Sequence, residues 1–319
     1  MTRTALVIGC GGTLGGAWSV AALHALAEHL DWDPREADIL QGTSAGAELA
    51  TMLGAGFSVT ELVDMQLGRP VDERLAAHLA ATPGPLPPLP RLAPPRMSAL
   101  TRRGGHRALT GIAPRGRGDA SWLGQLADAV ADPTTGWLPR SGVRLVAYRP
   151  EDDRRIAFTG SGEDAPSNPA LDSTASLNQA LRASWGIPGW MPPVTVGGLD
   201  HVDGGAASTA SVDLIGPGEA EVVYVIASMA GLDFTRGPGP GGLAEAVLLR
   251  RPMSAQLRRE VDRVRARGTR VVVVSPTAAE LGALGPNFMN RRKRAAAFEG
   301  SLRSARATVA AALTLEEAR

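Results

Sequence analysis

The chain has almost no cysteine and almost no lysine: Cys10 and Lys293 are the single examples among 319 residues. One cysteine excludes an internal disulfide framework, and a structural zinc site, which draws on several Cys or His ligands, is not expected either. Net charge is missing as well, because 33 basic residues face 32 acidic ones. That balance argues against a dedicated nucleic-acid binder, which would be basic overall. Together with a hydrophobic content of 44% it also argues against a disordered chain. No stretch approaches the roughly 20 uninterrupted apolar residues of a membrane-spanning helix. The apolar run Ala5-Leu6-Val7-Ile8 stops at a glycine loop, too short for the core of a signal peptide. A cytoplasmic protein is the expectation. The scarcity of lysine, beside abundant Ala, Gly and Pro, reads as the imprint of a GC-rich coding sequence.

What is present is a repeated local pattern. Residues 4–8 are short, apolar and end in glycine, as a buried strand does, and a glycine loop follows over 9–16. Residues 18–30 then carry apolar side chains at helical spacing. A second short strand at 39–41 runs into Gly42-Thr43-Ser44-Ala45-Gly46 and a helix-favouring stretch over 47–53. Two consecutive strand–glycine turn–helix units indicate an α/β layered domain with a mainly parallel sheet. Further along, a strand pair is expected over 143–148 and 154–159 and a hairpin over 194–202. Buried strands are expected at 221–227 and 270–274, a long helix over 243–267 and a final helix over 289–313. No composition shift marks a second domain, so residues 1–319 are read as one α/β domain with an irregular insertion.

Gly42-Thr43-Ser44-Ala45-Gly46 is the strongest chemical signal. A G-x-S-x-G sequence between a strand and a helix puts a serine on a tight bend at the sheet's C-terminal edge. The glycines avoid clashes there, and the next helix aims its N-terminal dipole at the serine. The loop Gly9-Cys10-Gly11-Gly12-Thr13-Leu14-Gly15-Gly16 has two readings. A dinucleotide turn requires G-x-G-x-x-G, but Leu14 stands at the third glycine and no acidic residue ends a second strand about 20 residues on. The alternative is a set of amides from Gly11, Gly12 and Thr13 that stabilise an oxyanion, and Ser44 decides for it. A serine nucleophile also needs a base. His24 and His29 fall on the first helix, His78 flanks the insertion, and His106 lies inside it. His201 shares a strand face with Asp203. None of the five has a recognisable catalytic setting, and His106 could serve only if the insertion folded over the site.

The glycine loop, the GTSAG turn and a late Asp203-Gly204-Gly205, in that order, resemble the patatin-like phospholipases. Arg182-Ala183-Ser184, Ile187-Pro188-Gly189-Trp190 and Pro192-Pro193-Val194 resemble the approach to that family's D-G-G. Gly285-Pro286-Asn287 with Met289 resembles its bacterial members. The resemblance implies a three-layer α/β sandwich and a Ser–Asp dyad without histidine, in which Ser44 is the nucleophile and Asp203 the base. Gly11, Gly12 and Thr13 then form the oxyanion loop, and neither metal nor cofactor is called for. The implied activity is hydrolysis of lipid acyl esters of the phospholipase A or esterase type. An acyltransferase working on an alcohol or amine acceptor, and a non-catalytic lipid-binding relative, are the alternatives. The chain departs from the family's loop at Cys10, where a glycine is usual, and at Leu14, where a basic residue is usual. Cys10 is read as a small packing residue.

The insertion over 83–118 opens with PGPLPPLPRLAPP, which cannot be regular helix or central strand. From residue 74 to 118 there are eight arginines and no carboxylate. Arg102, Arg103 and His106 are therefore candidate lid or substrate-contact residues. An anionic lipid surface or an acyl carrier is the candidate partner beside the acyl ester or phospholipid itself.

Overall fold

The structure, a computed structural model, describes residues 2–81, 115–163 and 168–318. Five strands run parallel through its centre: β1 (Thr4–Ile8), β2 (Ile39–Thr43), β3 (Val143–Arg149), β8 (Val222–Ile226) and β9 (Arg270–Val274). The antiparallel strand β4 (Arg154–Phe158) and the two-residue β5 (Leu171–Asp172) extend it, in the order β5-β4-β3-β2-β1-β8-β9. The hairpin β6 (Val194–Val196) and β7 (Leu199–Asp203) joins it through β7.

Strand alternation splits the core into two layers. Leu6 and Ile8 of β1 point into one cluster, Ala5 and Val7 into the other. The larger cluster is closed by α1 (Gly12–Leu30), α2 (Ala45–Gly54), α3 (Val59–Gln66), α5 (Ser121–Val130), α6 (Leu177–Ser184) and α9 (Arg294–Glu317), with α4 (Glu73–Ala81) beside α5. The smaller one is closed by α8 (Arg251–Arg265), through Leu257, Val261 and Val264, and by Ala210, Val212 and Ile215. Helices on both faces of a mainly parallel sheet explain why the central strands read as continuous apolar runs.

Three expectations are corrected. The glycine loop is shorter than 9–16, because α1 already starts at Gly12. Its Gly15 and Gly16 serve close packing inside that helix: a Cβ on Gly15 would lie 2.6 Å from Ser228 Oγ, and one on Gly16 would lie 3.4 Å from Ala45 Cβ. The helix expected over 243–267 begins earlier, as α7 (Gly239–Glu245), and is broken by a π turn over Ala246–Arg250 before α8. The last helix starts at Arg294, after a short 3₁₀ turn at Arg291–Lys293. Most of the insertion, including Arg102, Arg103 and His106, lies outside the described residues. Its described end, 115–118, is held by the Gly118 N–H, which donates to Trp190 O at 2.7 Å.

Candidate active site

The site is measured out along β3. Strand β2 pairs with β3 in parallel up to Thr43 opposite Val146. Strand β7 pairs with β3 in the opposite sense, with Asp203 opposite Ala147 and Val202 opposite Tyr148. The other edge of β3 is taken by β4. Strands β2 and β7 therefore meet head to head on one edge of β3, their C-terminal residues at consecutive register positions. This brings Ser44, 159 positions away in sequence, to Asp203.

Ser44 sits at the N-cap of α2 with φ 56° and ψ −120°, a backbone conformation that L residues rarely adopt. Such strain costs about 1–3 kcal/mol and persists only when the surroundings enforce it. Here they do. A Cβ on Gly42 would fall 2.2 Å from Gly46 O, and one on Gly46 would fall 2.0 Å from Ile8 O. Helix α2 is thus pressed onto β1 and β2 so closely that only glycine fits on either side of the serine. The Ser44 N–H donates to Ser184 Oγ at 2.9 Å, and Ser184 Oγ donates onward to Val146 O at 2.6 Å. Ser184 thereby fixes the strained backbone to the strand that sets the register. Sequence reasoning placed Ser184 in a motif without giving it a task.

The Ser44 and Asp203 side chains are both buried, with the Ser44 hydroxyl close enough to the Asp203 carboxyl group to help hold its pKa down. Asp203 Oδ1 accepts from the Gly205 N–H at 2.7 Å. Burial lifts the Asp203 pKa to about 7, against the opposing pull of the Ser44 hydroxyl and the Gly205 amide. At that value a carboxylate is as strong a base as an ordinary imidazole. Gly204 and Gly205 keep the following turn close: a Cβ on Gly204 would lie 2.7 Å from Val146 O, and one on Gly205 would lie 2.9 Å from Asp203 Oδ1.

The amides of Gly11, Gly12 and Thr13 stand at the N-terminus of α1, which leaves β1 beside the serine turn. Among the described residues, none of the three donates to a protein acceptor. Helix starts carry such donors together with the positive end of the dipole, which suits a developing oxyanion. Two neighbours set this loop. Leu14 N donates to Phe288 O at 2.9 Å, and Gly12, at φ 55°, leaves a site where a Cβ would lie 2.7 Å from Met289 Sδ. The segment around Gly285 to Met289 is therefore a wall of this loop. On the other side Ser228 Oγ donates to Cys10 O at 3.0 Å.

A cavity of about 40 Å³ opens between Gly12, Thr13 and Ala45 and runs back between Leu49, Met65 and Trp185. Its far end carries charge: His78 pairs with Glu48 at 2.8 Å, and the Arg294 side chain donates to Gln66 Oε1 at 2.8 Å. The Arg294 pKa is lowered, chiefly by burial. The volume suits two or three waters at about 15 Å³ each.

His24, His78 and His201 have other partners. His24 sits near Glu28 at 3.7 Å on α1, and His78 is engaged with Glu48 and packs on Trp122 with ring centroids 5.0 Å apart. His201 is buried against Phe158, bonded through Nδ1 to Leu199 O at 3.0 Å, and its pKa is lowered by burial. Among the described residues no histidine touches Ser44. No described helix is long and apolar enough to cross a membrane.

Comparison with known proteins follows the same residues. The family model described as patatin-like phospholipase matches residues 6–214, from β1 to just beyond the D-G-G turn. No curated protein matches the sequence. Among solved structures, VipD from Legionella pneumophila aligns over 97% of this chain and 67% of its own, with 14% identity and a TM-score of 0.43.

Proposed function

Because the chain belongs to the patatin-like phospholipase family, whose members are in general lipid acyl hydrolases, we propose that it cleaves acyl esters of lipids through an acyl-enzyme on Ser44, with Asp203 as the base. The observation that carries this reading is the buried juxtaposition of Ser44 and Asp203, brought together end to end on β3, with the Asp203 pKa lifted by burial to about 7. A base with a pKa near the working pH combines a useful ionised fraction with useful proton affinity.

Ser44 Oγ forms a bond to the ester carbonyl carbon while Asp203 takes the hydroxyl proton. The carbonyl oxygen becomes an oxyanion, held by the amides of Gly11, Gly12 and Thr13, each worth about 3 kcal/mol. When the intermediate collapses, the carbon–oxygen bond to the alcohol breaks and Asp203 returns its proton to that oxygen. Water then attacks the acyl-enzyme, gives its proton to Asp203, and the acid leaves as Ser44 recovers the proton. The serine's N-terminal place on α2 adds a favourable dipole to both steps.

A fluorophosphonate probe tests the nucleophile directly. The wild-type chain is expected to be labelled and Ser44→Ala is not; equal labelling of the two would defeat the assignment. With a long-chain ester as substrate and an alcohol present, free acid is the expected product, and a predominance of the transferred ester would make the enzyme an acyltransferase.

A further inference from the structure

The segment after β8 has its polarity turned inside out. Seven large apolar side chains are well exposed among the described residues, and five of them, Phe234, Leu243, Val247, Leu248 and Leu249, fall between 234 and 249. Leu248 is 72% exposed, whereas the neighbouring Arg250 is 2% exposed. Arg250 is held inside by Glu245 at 3.2 Å and by Ser228 O at 3.1 Å. The π turn over Ala246–Arg250 produces this inversion, because its wider winding presents Val247, Leu248 and Leu249 to solvent in succession while rotating the arginine inward. An ordinary surface helix does the opposite. Apolar clusters of this kind on a protein surface mark contact sites.

Place and charge indicate what the cluster meets. The segment leaves the C-terminal end of β8, parallel to β1 and β2, so it stands on the same edge of the sheet as Ser44. It reaches the oxyanion loop through one layer: Gly241 packs on Pro286, the loop of Pro286 supplies the carbonyl bonded to Leu14, and Arg250 grips Ser228, which bonds Cys10. From residue 233 to 252 the exposed charges are Asp233, Arg236 and Arg251, a net positive balance, while the other carboxylate of that stretch, Glu245, is buried.

We infer that Phe234, Leu248 and their apolar neighbours, with Arg236 and Arg251, form a face that docks on an anionic phospholipid surface and presents the adjoining Ser44 site to it. The inference rests on the lipid-hydrolase reading for its purpose but not for its measurement. The leucines and Phe234 would enter the boundary between headgroups and acyl chains, and the arginines would meet lipid phosphates.

Vesicle co-sedimentation of the full chain carrying Ser44→Ala tests this without turnover of the lipid. Vesicles of equal parts phosphatidylcholine and phosphatidylglycerol are compared with phosphatidylcholine alone. The Ser44→Ala chain is expected to pellet with the mixed vesicles, and adding Leu248→Asp or Phe234→Asp should weaken partitioning by about tenfold or more. Arg236→Gln should weaken it by about fivefold on the mixed vesicles alone. With Ser44 intact, Leu248→Asp and Phe234→Asp should turn over p-nitrophenyl butyrate within about twofold of wild type, which separates lost docking from lost folding. Equal partitioning of all chains would overturn the inference. So would a wild-type dimer in sedimentation velocity that the same substitutions dissolve, because the face would then join two copies. Failure of wild-type ester turnover would instead strike the hydrolase reading and leave the partitioning result standing.

Discussion

Replacing Asp203 with asparagine should abolish turnover and yet make the protein more stable, by an amount that depends on pH. Burial holds the Asp203 pKa at about 7 instead of 3.8. At about 1.4 kcal/mol per pH unit, that rise corresponds to ~4 kcal/mol of destabilisation when the carboxylate is ionised in both states. A raised folded-state pKa means that the native state binds more protons, so the wild type loses this stability as pH climbs from 3.8 toward 7. Asparagine has no charge to desolvate and keeps an oxygen for the Gly205 N–H. At about pH 5 the wild-type penalty is still only about 1–2 kcal/mol, and by about pH 8.5 it is complete, a difference of ~3 kcal/mol. With an unfolding entropy of ~2.1 cal/mol/K per residue, a chain of this size converts that into ~4 °C. Thermal melts of wild type and Asp203→Asn should therefore diverge between the two pH values, the variant gaining on the wild type at alkaline pH. Turnover of a soluble ester by the variant should fall by about 10³-fold or more. In the wild type, kcat/KM should rise with pH through an apparent pKa of about 7. A melting difference that does not change with pH would refute the desolvated carboxylate, and near-normal turnover would move the base elsewhere.

Two further substitutions probe the scaffold of the site. Gly12→Ala places a Cβ 2.7 Å from Met289 Sδ and 3.2 Å from Phe288 O at a residue with φ 55°. The amides should shift, and kcat on a soluble ester is expected to fall by about 10²-fold with little change in KM; retained kcat would take the Gly12 amide out of the oxyanion site. Ser184→Ala removes the group that joins the Ser44 N–H to Val146 O. Two buried backbone groups without partners cost about 1–3 kcal/mol each, so the melting temperature should drop by several degrees and kcat with it. An unchanged melt would show that Ser184 does not hold the turn.

How much of this was legible in the sequence depends on the distance over which each feature is decided. The Ser44 turn was legible because its cause is local: Gly42 and Gly46 are needed within the same turn that carries the serine, so type and spacing appear together. Asp203 was a different matter. Its relation to Ser44 is set by two strands meeting end to end on β3, a long-range register that no local pattern encodes, and only the resemblance to a family supplied it. The true start of α1 was hidden by composition. Gly15 and Gly16 read as loop formers, yet they lie inside a helix that approaches Ser228 closely at Gly15 and Ala45 at ordinary contact distance at Gly16. The π turn was hidden as well, since apolar Val247, Leu248 and Leu249 fit a buried helix as readily as an exposed one until the position of Arg250 is known.

The departure at Cys10 makes physical sense beside the carboxylate. A Cβ on Gly205 would lie 2.9 Å from both Cys10 Sγ and Asp203 Oδ1, so the thiol and the carboxylate flank the same point. Cys10 is buried, and its thiol pKa is pushed up by that burial and by the charge of Asp203. It therefore stays a neutral, polarizable group that neither attacks nor ionises. The sulfur fills part of the space beside Asp203 and so adds to its burial. Its contribution to the proposed chemistry lies in desolvating the base, and the low proton affinity that makes an ordinary aspartate a poor partner for serine is overcome by packing instead of by histidine.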